Sequence, residues 1–295
     1  MNSTEHTTPQ PLTGAGALLG EGPIWDDDAH RLLWVDIWGG LLNATSLAGE
    51  TTSTDLGAPL SSVVLSTRGT RVVTAGLCVL ELIDQGARHL ADIPEDPCMR
   101  ANDAAVDPAG RLWIGTMTMP HRPVRSGGLW RLDPGSDVPV RVLDDVRLAN
   151  GLAWSPSGDT LYFVDSLRQE VNAYPFDPAD GSIGAARPFL RIRDEDGMPD
   201  GITVDADGRV WVALAGGGAV RRYGPSGTLE EHVALPTRFP TSCAFGGPGL
   251  RQLFITTGSR PVAPDERPRE IARGAGALFR LGTGVRGLPT SRMEL

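Results

Sequence analysis

Six polar residues, Glu21, Ser61, Asn102, Asn150, Asp200 and Thr241, each stand immediately before an apolar, strand-like run. Two are carboxylates and two are carboxamides. If the six meet, Glu21, Asn150 and Asp200 offer hard oxygen ligands for one divalent ion, and the two negative charges neutralise it. Oxygen donors suit Ca2+, Mg2+ or Mn2+, and Zn2+ where water completes the shell. The plainer alternative is that these residues only cap strand starts with hydrogen bonds. Carboxylates that face one another away from water are costly unless paired or bound to a cation, which favours the metal for Glu21 and Asp200.

A repeat must position them. It reads EGPIWDDDAHRLLWVDI from Glu21, SSVVLSTRGTRVVTAG from Ser61 and NDAAVDPAGRLWIGTM from Asn102. It returns as NGLAWSPSGDTLYFVDS from Asn150, DGITVDADGRVWVAL from Asp200 and TSCAFGGPGLRQLFITTG from Thr241, with start-to-start spacings of 40, 41, 48, 50 and 41 residues. Each unit is a hairpin: an apolar run, a tight turn such as DPAGR, SPSGD or DADGR, and a second run rich in β-branched and aromatic residues. Two weaker strands follow in each, which gives the size of a propeller blade. Inner strands of a propeller run the same way around a channel, so equivalent positions meet near the axis at one height. The sequence therefore predicts an all-β chain folded as a six-bladed β-propeller with a central metal site. A single domain is expected over residues 14–295 behind a tail at 1–13, with blades starting near 21, 61, 102, 150, 200 and 241. The sixth unit lacks an outer strand, and the segment before Gly20 is expected to supply it and cover the open edge.

Composition narrows the chemistry. The 295 residues carry 27 basic and 36 acidic groups, a net charge of −9, which argues against nucleic acid and anionic membrane surfaces as partners. Every basic residue is arginine, so lysine Schiff bases and P-loop lysines are excluded. Cys78, Cys98 and Cys243 have no zinc-type spacing and read as reduced, buried thiols. Met1–Gln10 lacks the features of a leader and no stretch is apolar enough to span a membrane, so the expected setting is cytoplasmic. Propellers of this size are often monomers and no helix or stripe for assembly is seen, so a monomer is expected. No G-x-S-x-G elbow is present, and the match GTGVRG at 282–287 opens no helix. Asp26, Asp27 and Asp28 read as solvated turn residues, and Trp25, Trp34, Trp113, Trp154 and Trp211 as core.

The motifs GEGPIW, RAND-x-x-VDPAGR-x-W-x-GTM, NGLAWS, PDGI-x-VDADG and TSCAFGG resemble those of the gluconolactonase, regucalcin and luciferin-regenerating enzyme family, over roughly Gly14 to Pro289. The resemblance implies a six-bladed propeller with one divalent ion in its channel, and a lactonase acting on sugar lactones. By that resemblance Glu21, Asn150 and Asp200 match the metal ligands. Asp200 also matches the general base, and Arg100 and Asn102 match residues that contact substrate. Arg100 can grip a substrate oxygen through its planar fork, and Asn102 can bond hydroxyls or water. Asp103 is set aside, because strand alternation turns it away from Asn102. The segment Thr118–Gly128 departs from the family pattern: Pro120 stands where a substrate-contacting glutamate is expected, and His121, Arg122 and Arg125 make it basic. His121 is the one histidine placed to touch substrate. Two further readings stand beside the lactonase: a specialised enzyme using the same ion on another ester, lactone or carbonyl, and a calcium-binding propeller without catalysis.

Overall fold

A computed structural model describes residues 8–84 and 86–295. Among them the chain forms six sheets around an axis, each built from an inner strand outward by antiparallel neighbours. The inner strands are Gly20–Asp26, Leu60–Ser66, Met99–Val106, Ala149–Trp154, Met198–Val204 and Pro240–Gly246, and each packs against the inner strands of both neighbouring blades. Blades one to five are read straight off the chain. Blade six takes its outer strand from the other end, where Gln10–Pro11 pairs with Phe279–Gly282. The outer strand thus begins inside the segment expected to be tail.

The blade turns are held by a device that the repeat encodes. Asp107 Oδ1 accepts the backbone N–H groups of Ala109 (2.9 Å) and Arg111 (3.0 Å), while its Oδ2 accepts the indole N–H of Trp113 at 3.0 Å. Asp205 does the same with Asp207, Arg209 and Trp211, each at 3.0 Å. Gly110 (φ 86°) and Gly208 (φ 77°) occupy the left-handed turn position, which a side chain would strain. One carboxylate therefore orders the turn and fixes the ring that fills the space between blades. Trp25, Trp113 and Trp211 are fully buried, and Trp25 stacks on Phe254 with ring centroids 5.8 Å apart. Side chains of this size supply much of the favourable burial, about 1.5–3 kcal/mol for each large apolar group.

Two expectations need correction. Asp26 is buried, not solvated, because its Oδ1 accepts the N–H groups of Asp28 and Ala29, both at 3.1 Å. Of the three thiols only Cys243 is buried; Cys78 and Cys98 are half-exposed. The C-terminal residues, which carry no strand signal, cross the turn end of the channel. Arg292–Met293 adds in parallel to Leu65–Ser66, Thr290 Oγ1 donates to Trp25 O (2.8 Å), and Arg286 O accepts the N–H of Ala206 (2.7 Å). Leu288–Ser291 then line a cavity of about 360 Å3 that reaches up to Asp103.

Asp205→Ala leaves the buried indole of Trp211 and the guanidinium of Arg222 without their shared acceptor, so it lowers unfolding free energy by about 2–4 kcal/mol in urea titrations. Asp207→Ala, in the same turn but exposed, changes it by no more than about 0.5 kcal/mol.

Candidate metal centre

Every inner strand carries a β-bulge at its polar position. The ladder to the second strand gains one extra inner-strand residue between Glu21 and Ile24, Leu60 and Ser62, Ala101 and Ala104, Ala149 and Leu152, Pro199 and Ile202, and Pro240 and Ser242. A bulge breaks the two-residue alternation and re-aims the side chains beside it. Six bulges at one height turn the six polar residues into a ring around the axis.

Four of the six blades use this ring to bond to the next. Thr241 Oγ1 donates to Gly20 O (2.5 Å), Ser61 Oγ to Ala101 O (2.7 Å) and Asn102 Nδ2 to Ala149 O (2.8 Å). In the fourth blade Ser166 Oγ donates to Pro199 O (2.5 Å) and is itself held by Asn150 Nδ2 at 2.8 Å. In each case the acceptor is the carbonyl just before the next ring residue. Glu21 and Asp200 do not continue the pattern: among the described residues neither side chain bonds to the carbonyl before the next ring residue. Capping therefore explains four positions and leaves these two without a structural task.

Asp200 is buried, and its Oδ1 has no hydrogen-bond partner among the described residues. Glu21 accepts one weak bond, from the N–H of Gly22 at 3.3 Å. Asn102 Nδ2 also donates to Asn150 Oδ1 (2.7 Å), and with Ser166 on the other side this fixes the Asn150 amide so that its oxygen faces the ring. Glu21 and Asp200 lie near enough for the charge of Asp200 to raise the pKa of Glu21, and Asn150 sits at the equivalent position of the inner strand packed against that of Asp200; that the three hold one ion is a proposal. Asn102 is brought there too, but both of its amide hydrogens are spent on Ala149 O and Asn150 Oδ1, which leaves only its carbonyl oxygen for a ligand.

Asp103 corrects the alternation argument. The bulge at 101–104 turns it into the channel just below the ring, close enough to raise the pKa of both Glu21 and Asp200. Desolvation is the larger cause at each of these two carboxyls, which are pushed well above the usual range. Asp103 itself rises to about 6 through burial, held down in part by the N–H of Ala104 at 2.8 Å. A signal for it exists in the sequence. The residue after each ring position is Gly22, Ser62, Gly151, Gly201 or Ser242, and only the third blade places a charged group there. Small residues are required by close packing: a Cβ at Gly151 would lie 2.6 Å from Ile202 N, and one at Gly201 would lie 2.0 Å from Ser242 Oγ.

Among the described residues, Arg100 is the cation whose charge lowers the pKa of Glu21. It is buried, it donates to Ala101 O at 2.8 Å, and its Nε has no partner. Desolvation lowers its pKa to about 10, against the pull of Glu21. Its guanidinium lies 5.8 Å from the ring centre of Trp38, which Arg260 covers at 4.8 Å. His121 is not brought into the ring. It is exposed, at φ 65°, in a segment closed by Thr118, whose Oγ1 donates to Arg125 O and accepts its N–H, both at 2.9 Å. Arg125 in turn pairs with Asp96 at 3.0 Å.

A family model described as the SMP-30/Gluconolactonase/LRE-like region matches residues 19–259. The chain is 36% identical to regucalcin of Gallus gallus over 281 residues, covering 92% of this chain and 93% of that one. It is 34% identical over 274 residues to a Bacillus subtilis protein assigned by its name to the sugar lactone lactonases, at 91% and 93% coverage. A crystal structure from Agrobacterium tumefaciens, titled as a calcium-binding protein, regucalcin, superposes with a TM-score of 0.90 at 27% identity over the whole of both chains. A luciferin-regenerating enzyme superposes at 0.86, also at 27% identity, covering 95% and 97%. The chain belongs to the SMP-30, gluconolactonase and luciferin-regenerating enzyme family. Among the described residues no helix is long and apolar enough to cross a membrane.

A carboxyl whose pKa rises on folding holds its proton better folded than unfolded, so it adds stability as pH falls through the interval between the two values. For Asp103 that interval runs from the ordinary 3.8 to about 6. Metal-stripped protein should therefore melt higher at pH 5 than at pH 7, and Asp103→Asn should flatten that slope in thermal melts.

Proposed function

We propose that this protein is a divalent-metal-dependent lactonase that opens a small hydroxylated lactone, with Asp200 as general base. What carries the reading is the pair of neighbouring ring carboxylates, Glu21 and Asp200, that among the described residues take no part in blade-to-blade bonding and have few partners of their own. An orphaned buried carboxylate oxygen, a neighbouring carboxylate and an amide oxygen are the donor set of a hard cation. Glu21, Asn150 and Asp200 would hold it, and water would complete its shell. The calcium-binding title of the Agrobacterium relative and the lactonase names in the family favour the same chemistry.

When bound, the ion polarises the lactone carbonyl and neutralises the acidic ring. The protein's own groups do the rest. Asp200 Oδ1, free of hydrogen bonds, accepts a proton from the water that attacks the carbonyl carbon. Arg100 directs its unpartnered Nε to a substrate oxygen, where a fixed donor in a desolvated place is worth more than in water. Asn102 holds Asn150 in register and offers its remaining oxygen to a substrate hydroxyl. Asp103 adds a third negative charge behind the two ligands.

The lid favours a refinement of substrate. Thr118–Gly128 contains no carboxylate, and Arg122 has no acidic partner among the described residues, so an acidic lactone suits this mouth better than a neutral one. Proton release from a lactone panel tests the activity. Chelation of the protein's metal should abolish it, and Asp200→Asn should fold normally by circular dichroism while losing at least about 100-fold in turnover. Undiminished hydrolysis by metal-stripped protein contradicts the reading.

A further inference from the structure

Away from the channel, three side chains of three donor types meet on the outer half of blade two. Cys78 opens the third strand of the blade, Cys78–Ile83, and lies directly opposite Asp92, the last residue of the outer strand Gly86–Asp92. Regular alternation would turn His89 to the opposite side from Asp92. A bulge intervenes: Val79 pairs with Ala91 but Leu80 pairs with His89, so Leu90 is the extra residue and His89 comes round to the face of Cys78 and Asp92.

The result is a cluster rather than a row. Cys78 Sγ lies 3.3 Å from Asp92 Oδ1, and His89 Nε2 lies 2.9 Å from the same oxygen. One sulfur, one nitrogen and one oxygen donor fall within 4.8 Å of one another. Bonds of about 2.0–2.3 Å from a tetrahedral ion place neighbouring donor atoms roughly 3.3–3.8 Å apart, so small side-chain rotations complete such a shell. His89 and Asp92 are exposed and Cys78 is half-exposed, which leaves a way in for an ion and a fourth position for water. Hydrogen bonding to Asp92 alone does not call for sulfur, since a serine hydroxyl would serve. The combination of a thiol, an imidazole and a carboxylate suits a borderline cation instead.

We propose that Cys78, His89 and Asp92 form a second metal site, separate from the ring and selective for Zn2+ or a cation of similar softness. The two sites differ in donors. The ring offers only oxygen, whereas the rim offers sulfur and nitrogen, and Co2+ reports the difference. Titrated into metal-stripped, reduced, full-length protein, Co2+ should develop a near-ultraviolet thiolate-to-cobalt charge-transfer band that Zn2+ then removes. The band should vanish in Cys78→Ser, weaken in His89→Ala and Asp92→Asn, and persist in Cys98→Ser and Asp200→Asn, with folding of each variant checked by circular dichroism. No thiolate band at saturating Co2+ would overturn the site, as would a band that survives Cys78→Ser.

Discussion

Around the axis of this propeller, Glu21, Asp103 and Asp200 lie close enough to raise one another's cost, and among the described residues only Arg100 weighs against them, at Glu21. Asp200 is buried and Glu21 and Asp103 are half-buried, so desolvation and the neighbouring negative charges raise the cost of ionisation. A protein can relieve such a cluster by protonation, by pairing, or by taking up a cation. Asp200 Oδ1 has no partner among the described residues, so without a cation the raised pKa values of Glu21 and Asp200 favour protonation, whereas a bound cation would keep both ionised. The rest of the molecule is arranged so that this conflict persists in the folded state. Three ring residues donate to the next blade, Asn150 does so through Ser166, and Glu21 and Asp200 do not.

The scaffold tolerates the cluster because its stability comes from elsewhere. Indole rings locked by Asp107 and Asp205 fill the spaces between blades, and Gln10–Pro11 closes the ring against the last sheet. The C-terminal residues add a further tie across the turn end of the channel. Bulges then do what flat strands could not, turning a polar residue inward from each blade at the same height.

The repeat made the fold legible. Spacings near 40–50 residues, Gly-containing turns and β-branched second runs gave six blades and even the donor of the closing strand. Glu21, Asn150 and Asp200 were legible for the same reason, as equivalent positions of one repeat. Asp103 was hidden, because alternation is a rule for regular strands and the bulge at 101–104 suspends it. The same failure concealed His89, which shares a face with Asp92 only through a bulge. Comparing residues one position past each ring residue would have exposed Asp103 as the lone charge among glycines and serines. Asn102 was legible as a ring residue, but its engagement with Asn150 depends on side-chain geometry that no spacing encodes. His121 is exposed in the segment after Thr118, outside the ring.

On the proposed reading, substrate choice rests on the mouth, where Pro120, His121, Arg122 and Arg125 form a basic segment without a carboxylate. The centre beneath it depends on one claim: that the buried carboxylates are balanced by a divalent ion. Calorimetric titration of metal-stripped protein with Ca2+ near pH 6, in buffers of different ionisation enthalpy, tests that claim most directly. The account predicts uptake by the ring with protons released from the carboxyls, and loss of both in Glu21→Gln. Absence of binding, or binding unchanged in Glu21→Gln, would contradict it.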